Sequence, residues 1–156
     1  MSLNNIILED VRIAFRNFAG KESKYNLKGR RNFVVFLDPG LAEELYDDGW
    51  NVKKLKPRDD EEELQAYMQV AVNYEHIPPR IVLISNGRQT ILDEESIDIL
   101  DWAEIDTIDL IIRPYEWDVN GKTGVKAYVK TMYVTLEDDP LSAKYWQPDQ
   151  EEDGNE

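Results

Sequence analysis

Apolar and polar residues alternate with a period of two through most of this chain, and that alternation predicts strands. IILEDVRIAF places Ile7, Glu9, Val11, Ile13 and Phe15 on one face and Leu8, Asp10, Arg12, Ala14 and Arg16 on the other. RRNFVVFLD (30 to 38) is rich in β-branched and aromatic residues and forms a second strand. AYMQVAVNY (66 to 74) sets Met68, Val70, Val72 and Tyr74 against Tyr67, Gln69, Ala71 and Asn73. RIVLISNGRQTIL reads as a hairpin about Asn86-Gly87, and a longer hairpin runs from TIDLIIRPYEWDV to GVKAYVKTMYVTL about Asn120-Gly121.

Two stretches break this rhythm. PGLAEELYDDGW takes helical spacing, with Leu41, Leu45 and Tyr46 on one stripe, Asp38 as cap, Pro39 in the first turn and Gly49 at the end. EESIDILDWAEI is a second short helix, with Ile97, Leu100 and Ile105 inward. KKLKPRDDEEE reads as an exposed charged loop. About seven strands and one or two short helices, joined by short turns with no βαβ rhythm, predict a mainly β domain: an OB-like antiparallel barrel over residues 1–145. Residues 146–156 form an acidic, disordered tail by composition.

The chain has 156 residues, long enough for one domain with a real core. It lacks cysteine, which removes disulfides and thiolate metal sites and suits a reducing cytoplasm. No apolar run approaches the roughly 20 residues a membrane helix needs. MSLNNIILEDVRIAF has no basic n-region and too short an apolar run for a signal peptide. The expected location is cytoplasmic.

Charge changes the picture most. The formal net charge is -14, yet FRNFAGKESKYNLKGRRNF (15 to 33) holds Arg16, Lys21, Lys24, Lys28, Arg30 and Arg31 against the single acid Glu22. Phe15, Phe18, Tyr25 and Phe33 lie among these cations. Cations neutralise phosphates, and flat rings stack on unpaired bases, so this pattern fits single-stranded nucleic acid. The plainer alternative is a solvated loop whose rings fold back on the core.

The last hairpin repeats the pattern. Arg113, Tyr115 and Trp117 share a face of one strand, and Lys126, Tyr128 and Lys130 share a face of the other, with Lys122 at the tip. Ile112, Val125 and Val129 point the opposite way. The alternative here is ordinary cross-strand aromatic pairing. The expected DNA contacts are therefore Arg12, Arg16, Lys21, Lys24, Lys28, Arg30, Arg31, Arg113, Lys122, Lys126 and Lys130 through charge, and Phe18, Tyr25, Tyr115, Trp117 and Tyr128 through stacking.

Catalytic patterns fail. VNGKTG contains Gly-Lys-Thr, but Glu116 stands where a phosphate-binding loop needs glycine, and the context is a hairpin. His76 is the sole histidine, so a histidine-based metal site or triad lacks partners. DDEEE and DILDWAEID offer carboxylates for Mg²⁺, which keeps a nuclease as a rival, although such acids usually form a solvated face. No enzyme activity, cofactor or metal is expected.

AFRNFAGKESKYNLKGRRNFVVFLD, DDGWNVKKLKPRD, ILDWAEIDTIDLIIRPYEW and VNGKTGVKAYVKTMYVTL together resemble a family of bacteriophage single-stranded DNA-binding proteins, over roughly residues 5 to 145. The resemblance implies an OB-type barrel that coats and protects single strands, without marked sequence preference, during phage replication and recombination. It also implies that the acidic C-terminus recruits replication or recombination proteins, although this tail ends Gly-Asn-Glu and not in an aromatic anchor. A homodimer is a further expectation. The rival readings are a protein-interaction module of phage replication or assembly and a single-strand annealing factor.

Overall fold

The structure, a computed structural model, describes residues 3–55, 65–75 and 77–137. Within them lie β1 (Ile6–Leu8), β2 (Ile13–Asn17), β3 (Arg31–Leu37), α1 (Pro39–Asp47), β4 (Val52–Leu55), β5 (Gln65–Val72), β6 (Arg80–Ser85), β7 (Arg88–Leu92), a 3₁₀ turn (Ile97–Asp101), β8 (Ile105–Val119) and β9 (Lys122–Leu136). The main path through the sheet is β1-β8-β9-β5-β3-β2.

The two ends of that path are successive runs of one segment. The chain turns sharply at Asp10, whose φ is 51°. The Val11 amide still donates to Ile108 O, and the Phe36 amide donates to Arg12 O, each at 3.0 Å. One bent segment thus binds β8 on one side and β3 on the other, and the sheet curls back on itself. The ring has five members, β1/β2, β3, β5, β9 and β8, which is the arrangement of an OB-type barrel.

The mainly β expectation holds, with three differences. Nine strands replace about seven, because the kink divides the first strand and because β4 lies in the charged run read as a loop. β4 pairs antiparallel with β5, from Val52↔Met68 to Leu55↔Gln65. The sheet is also mixed: β9 runs parallel to β5 and to β6. At fifteen residues β9 is long enough to hold β8 along its whole length while meeting two further strands in turn.

The alternation proposed for the first segment fails at two positions. Asp10 and Phe15 both take positive φ, and each reverses the facing of the residues after it. Leu8, Val11 and Ile13 pack on the core, whereas Ile7 and Phe15 are exposed. Elsewhere the pattern holds with one shift. Phe33, Val35, Met68, Val70, Ile108, Leu110, Ile112 and Val129 fill the barrel from alternate positions, and Met132 joins them after a bulge at Lys130 displaces the alternation of β9 by one residue. Both Asn-Gly pairs adopt the left-handed conformation that a two-residue hairpin turn needs, at Asn86-Gly87 and Asn120-Gly121.

The Asp38 carboxylate caps α1 by accepting from the Leu41 amide at 3.0 Å. Ala42 and Leu45 are its buried residues; Tyr46 stands outside the stripe, exposed. The second helix is a single 3₁₀ turn, in which Ile97 and Leu100, three apart, share the buried side. Ile105 already belongs to β8. The Asp93 carboxylate fixes the entry to this turn by accepting from the Glu95 and Ser96 amides and the Ser96 hydroxyl. The hydroxyl bond and then the Ser96 amide hold the Asp93 carboxyl below its ordinary pKa. DDEEE, His76 and the acidic tail lie outside the described residues.

Candidate nucleic-acid interface

The basic loop between β2 and β3 is rooted in the protein, and its root uses residues the sequence assigned to DNA. Phe18 is fully buried, its ring stacked on Phe33 with centroids 5.2 Å apart. The Asp101 carboxylate accepts from the Phe18 amide at 2.6 Å and the Ala19 amide at 3.0 Å. Arg16 Nη1 donates to Leu100 O at 3.1 Å and Ala103 O at 2.8 Å. Phe18 is therefore a core residue and not a stacking platform, and Arg16 is a clamp between the loop and the 3₁₀ turn. Arg12 lies over the Phe36 ring, 5.6 Å from its centroid, beside a separate hollow that contains Glu9, Asp10 and Asp38.

Beyond its root the loop is braced from within. Asn17 and Lys21 exchange side-chain and backbone hydrogen bonds. Asn26 Nδ2 donates to the carbonyls of Lys21, Leu27 and Arg30, and Asn26 Oδ1 accepts from Asn32 Nδ2 at 2.9 Å. The Gly29 amide donates to Gly20 O at 2.8 Å. A Cβ on Gly20 would come within 3.0 Å of the Gly29 carbonyl carbon, so glycine is what lets these backbones meet. With the backbone satisfied internally, Lys24, Tyr25, Lys28 and Arg30 all project to solvent. Tyr25 is 89% exposed, with Lys24 Nζ 5.6 Å from its ring centroid.

This loop faces the last hairpin across a groove of about 850 Å³. Ser23 to Asn32, from the loop and the start of β3, form one wall; the end of β5 and the residues after it, between Gln69 and Glu75, form the floor; and Lys126 and Tyr128 stand opposite. The cations here are Lys24, Lys28, Arg30, Arg31 and Lys126; the carboxylates are Glu75 and Glu94. Cations outnumber acids in the groove even though the chain as a whole is strongly acidic, and a concave wall concentrates that local field.

Tyr74 lines the groove as well, a residue whose strand periodicity marks it as core. It packs on the core and carries Arg31 over its ring at 5.8 Å. Its hydroxyl donates to Leu92 O at 3.3 Å. Burial pushes the Tyr74 phenol up to about 12, outweighing the opposing pull of the Arg31 charge. The folded-state value lies above the ordinary 10.0, so the neutral phenol favours the fold. That contribution is intact below pH 10 and is lost as pH rises towards 12. A phenolate absorbance titration should show one tyrosine ionising near pH 12, and Tyr74→Phe should remove that step. Gln69, Asn32 and Asn73 also join the groove without any signal in the sequence, because their polar side chains are ordinary for a half-exposed strand.

The hairpin register sets Arg113 opposite Tyr128, Tyr115 opposite Lys126, Trp117 opposite Gly124 and Val119 opposite Lys122. Arg113 and Lys126 each lie 5.2 Å from the Tyr128 centroid, and Tyr115 meets Tyr128 edge-on at 6.2 Å. Tyr128 is thus the centre of a cation–aromatic cluster. Tyr115 is 52% exposed and presents the freer ring. Arg31 and Arg113, each over a tyrosine ring, keep a buried Nε with no hydrogen-bond partner. Lys130 lies at a bulge in β9, and Lys21, Lys122 and Lys130 are exposed but do not line the groove. Trp117 lines a neighbouring hollow.

A family model described as "Putative phage ssDNA-binding domain" matches residues 1–154. The chain belongs to this family. Its ligand is single-stranded DNA. The single-stranded DNA-binding protein from bacteriophage Enc34 has the same fold: its C-terminally truncated form superposes with a TM-score of 0.56 at 10% identity, covering 87% of each chain. The same protein in complex with ssDNA gives 0.57 at 11% identity, covering 88% of this chain and 89% of that one. No curated protein matches the chain.

Seen as a member of a phage ssDNA-binding family, the chain has its groove where OB barrels take oligonucleotides. The basic loop joins the first two members of the ring, the β8–β9 hairpin joins the last two, and β5 lies between them. Among the described residues no three His, Cys, Asp or Glu side chains gather as a metal site would need, and no helix is long and apolar enough to cross a membrane.

Proposed function

We propose that this chain binds and protects single-stranded DNA through the groove between the basic loop and the last hairpin, without catalysis and largely without sequence preference. The observation that carries this reading is the placement of Lys126 and Tyr128 across one groove from Lys24, Lys28, Arg30 and Arg31. Cations along both walls follow a phosphate backbone, while Tyr25 and Tyr115 offer rings on which bases of any identity stack. Arg31 adds its positive charge to the groove from over the Tyr74 ring, and Arg113 adds its own beside Tyr128. The assignment covers residues 1–145, acting in phage DNA replication and recombination in the host cytoplasm. The acidic residues 146–156 serve as the handle for replication or recombination proteins, and a homodimer is the self-association to test.

Titration with oligo(dT) at low and high salt, followed by tryptophan emission, tests this. With four or five phosphates neutralised, log affinity should fall against log salt with a slope of about -3, at about -0.7 per contact for single strands. Absence of binding, or affinity indifferent to salt, overturns the proposal. Addition of Mg²⁺ should leave labelled DNA uncut.

A further inference from the structure

β9 is joined to β5 at only two register positions, Val70↔Ala127 and Ala71↔Tyr128. Nearer the hairpin tip its contact is with another segment, where Trp50 bridges Val125. A second hollow, of about 420 Å³, opens between these attachments. Asn51, Thr123 and Trp117 line it, and it shares Gln69, Ala71 and Lys126 with the main groove. The two hollows are therefore adjoining compartments with Lys126 on the boundary.

Trp117 is held there by the residue across from it. Gly124 is its cross-strand partner, and a Cβ at position 124 would fall 2.5 Å from the indole Cζ2 and 2.7 Å from Cε2. The indole lies against bare backbone, a seat that only glycine provides. Yet 37% of Trp117 remains exposed, so the ring is neither core nor freely rotating. A ring already fixed in place loses little conformational freedom when a flat ligand stacks on it. Amide, hydroxyl and ammonium groups of Asn51, Gln69, Thr123 and Lys126 share the lining with apolar side chains such as Met68 and Val125, a mixture that suits a flat ring with a polar edge, as a nucleobase has.

We propose that this second hollow takes one unstacked nucleobase of the same DNA strand, lying on the indole of Trp117. The proposal rests on the reading of the main groove as the path of single-stranded DNA. Asn51 and Gln69 offer donors and acceptors to the edge of the base, and Lys126 holds the phosphate that links it to the bases in the groove. Gly124 is a positioning residue, acting through the ring it seats.

The test uses the full chain and oligo(dT) of increasing length. In the wild type, affinity rises as the main groove fills, then takes a further step, with more tryptophan quenching, as the second hollow is occupied. Trp117→Ala and Gly124→Val, the latter displacing the ring without removing it, should bind short oligomers like the wild type and lack the last step, about tenfold in affinity. Asn51→Ala leaves the hairpin intact and should weaken the same step. A single abasic sugar walked along the longest oligomer should find one position that weakens the wild type but not Trp117→Ala. If all variants bind every length like the wild type, or if short oligomers are lost together with long ones at unchanged thermal stability, the subsite is wrong and the groove stands. If the wild type binds no oligomer, the reading of the groove itself has failed.

Discussion

Reversing Lys24 and Lys28 together to glutamate should weaken binding of oligo(dT) roughly 100-fold near 0.1 M salt. Each reversal removes a phosphate contact and adds a repulsion, and a unit charge pair at about 4 Å is worth on the order of 1 kcal/mol even in water. The slope of log affinity on log salt should become shallower by about 1.4, the share of two single-strand phosphates. Both side chains are exposed and the loop is braced by Asn26 and Asn17, so folding should be unaffected. The decisive control is Lys53→Glu with Lys54→Glu. These β4 residues are also exposed, and they sit opposite Tyr67 and Ala66, towards the far end of β5 from the groove. They change the net charge by the same amount. Equal losses from the two pairs would mean that DNA senses only the overall charge of the chain, and the groove would lose its special place.

What the sequence made legible was whatever is decided by neighbours along the chain. Asn-Gly dictates its turn through its own backbone preference, and both hairpins arise from it. Two-residue alternation identified β5 and the inner parts of β8 and β9, where one face is buried, and β6 was found through the Asn-Gly turn that follows it. β4 was hidden, since two of its four residues are lysines and its strand character comes entirely from pairing with β5. The kinks at Asp10 and Phe15 were hidden too, because residues that usually avoid positive φ adopt it there to let one segment serve two neighbours.

The site divides in the same way. Its charge was visible, because cations gathered against the trend of the chain require only counting. The direction of each ring was not. Phe18 and Tyr25 occur in the same Gly- and Asn-containing loop and look alike in sequence, yet one is sealed and the other almost wholly exposed. The difference is made by Asp101, 83 residues away, which draws the Phe18 amide inward. Tyr74 escaped notice as a groove residue for a related reason: its ring packs on the core, as alternation implies, and also lines the groove, and alternation assigns a residue only one side.

Replacing Phe18 should therefore damage the fold and not the recognition of DNA. Phe18→Ala opens a cavity against Phe33 in the sealed root of the loop and should cost about 3–5 kcal/mol of stability. Phe18→Leu restores most of the apolar volume and should cost about 1–2 kcal/mol. Chemical denaturation measures both. Phe18→Leu also removes the flat ring, so it separates packing from stacking: once folded, it should bind oligo(dT) within about twofold of the wild type. Tyr25→Leu should do the reverse, leaving stability nearly unchanged and weakening DNA by the worth of one stacked base, about 1–3 kcal/mol. A folded Phe18→Leu protein that lost tenfold or more in affinity would show that the loop root opens on binding. The paired acceptance of the Phe18 and Ala19 amides by Asp101 would then be a latch that DNA releases, and the cations above it would be reorganised by DNA and not held ready for it.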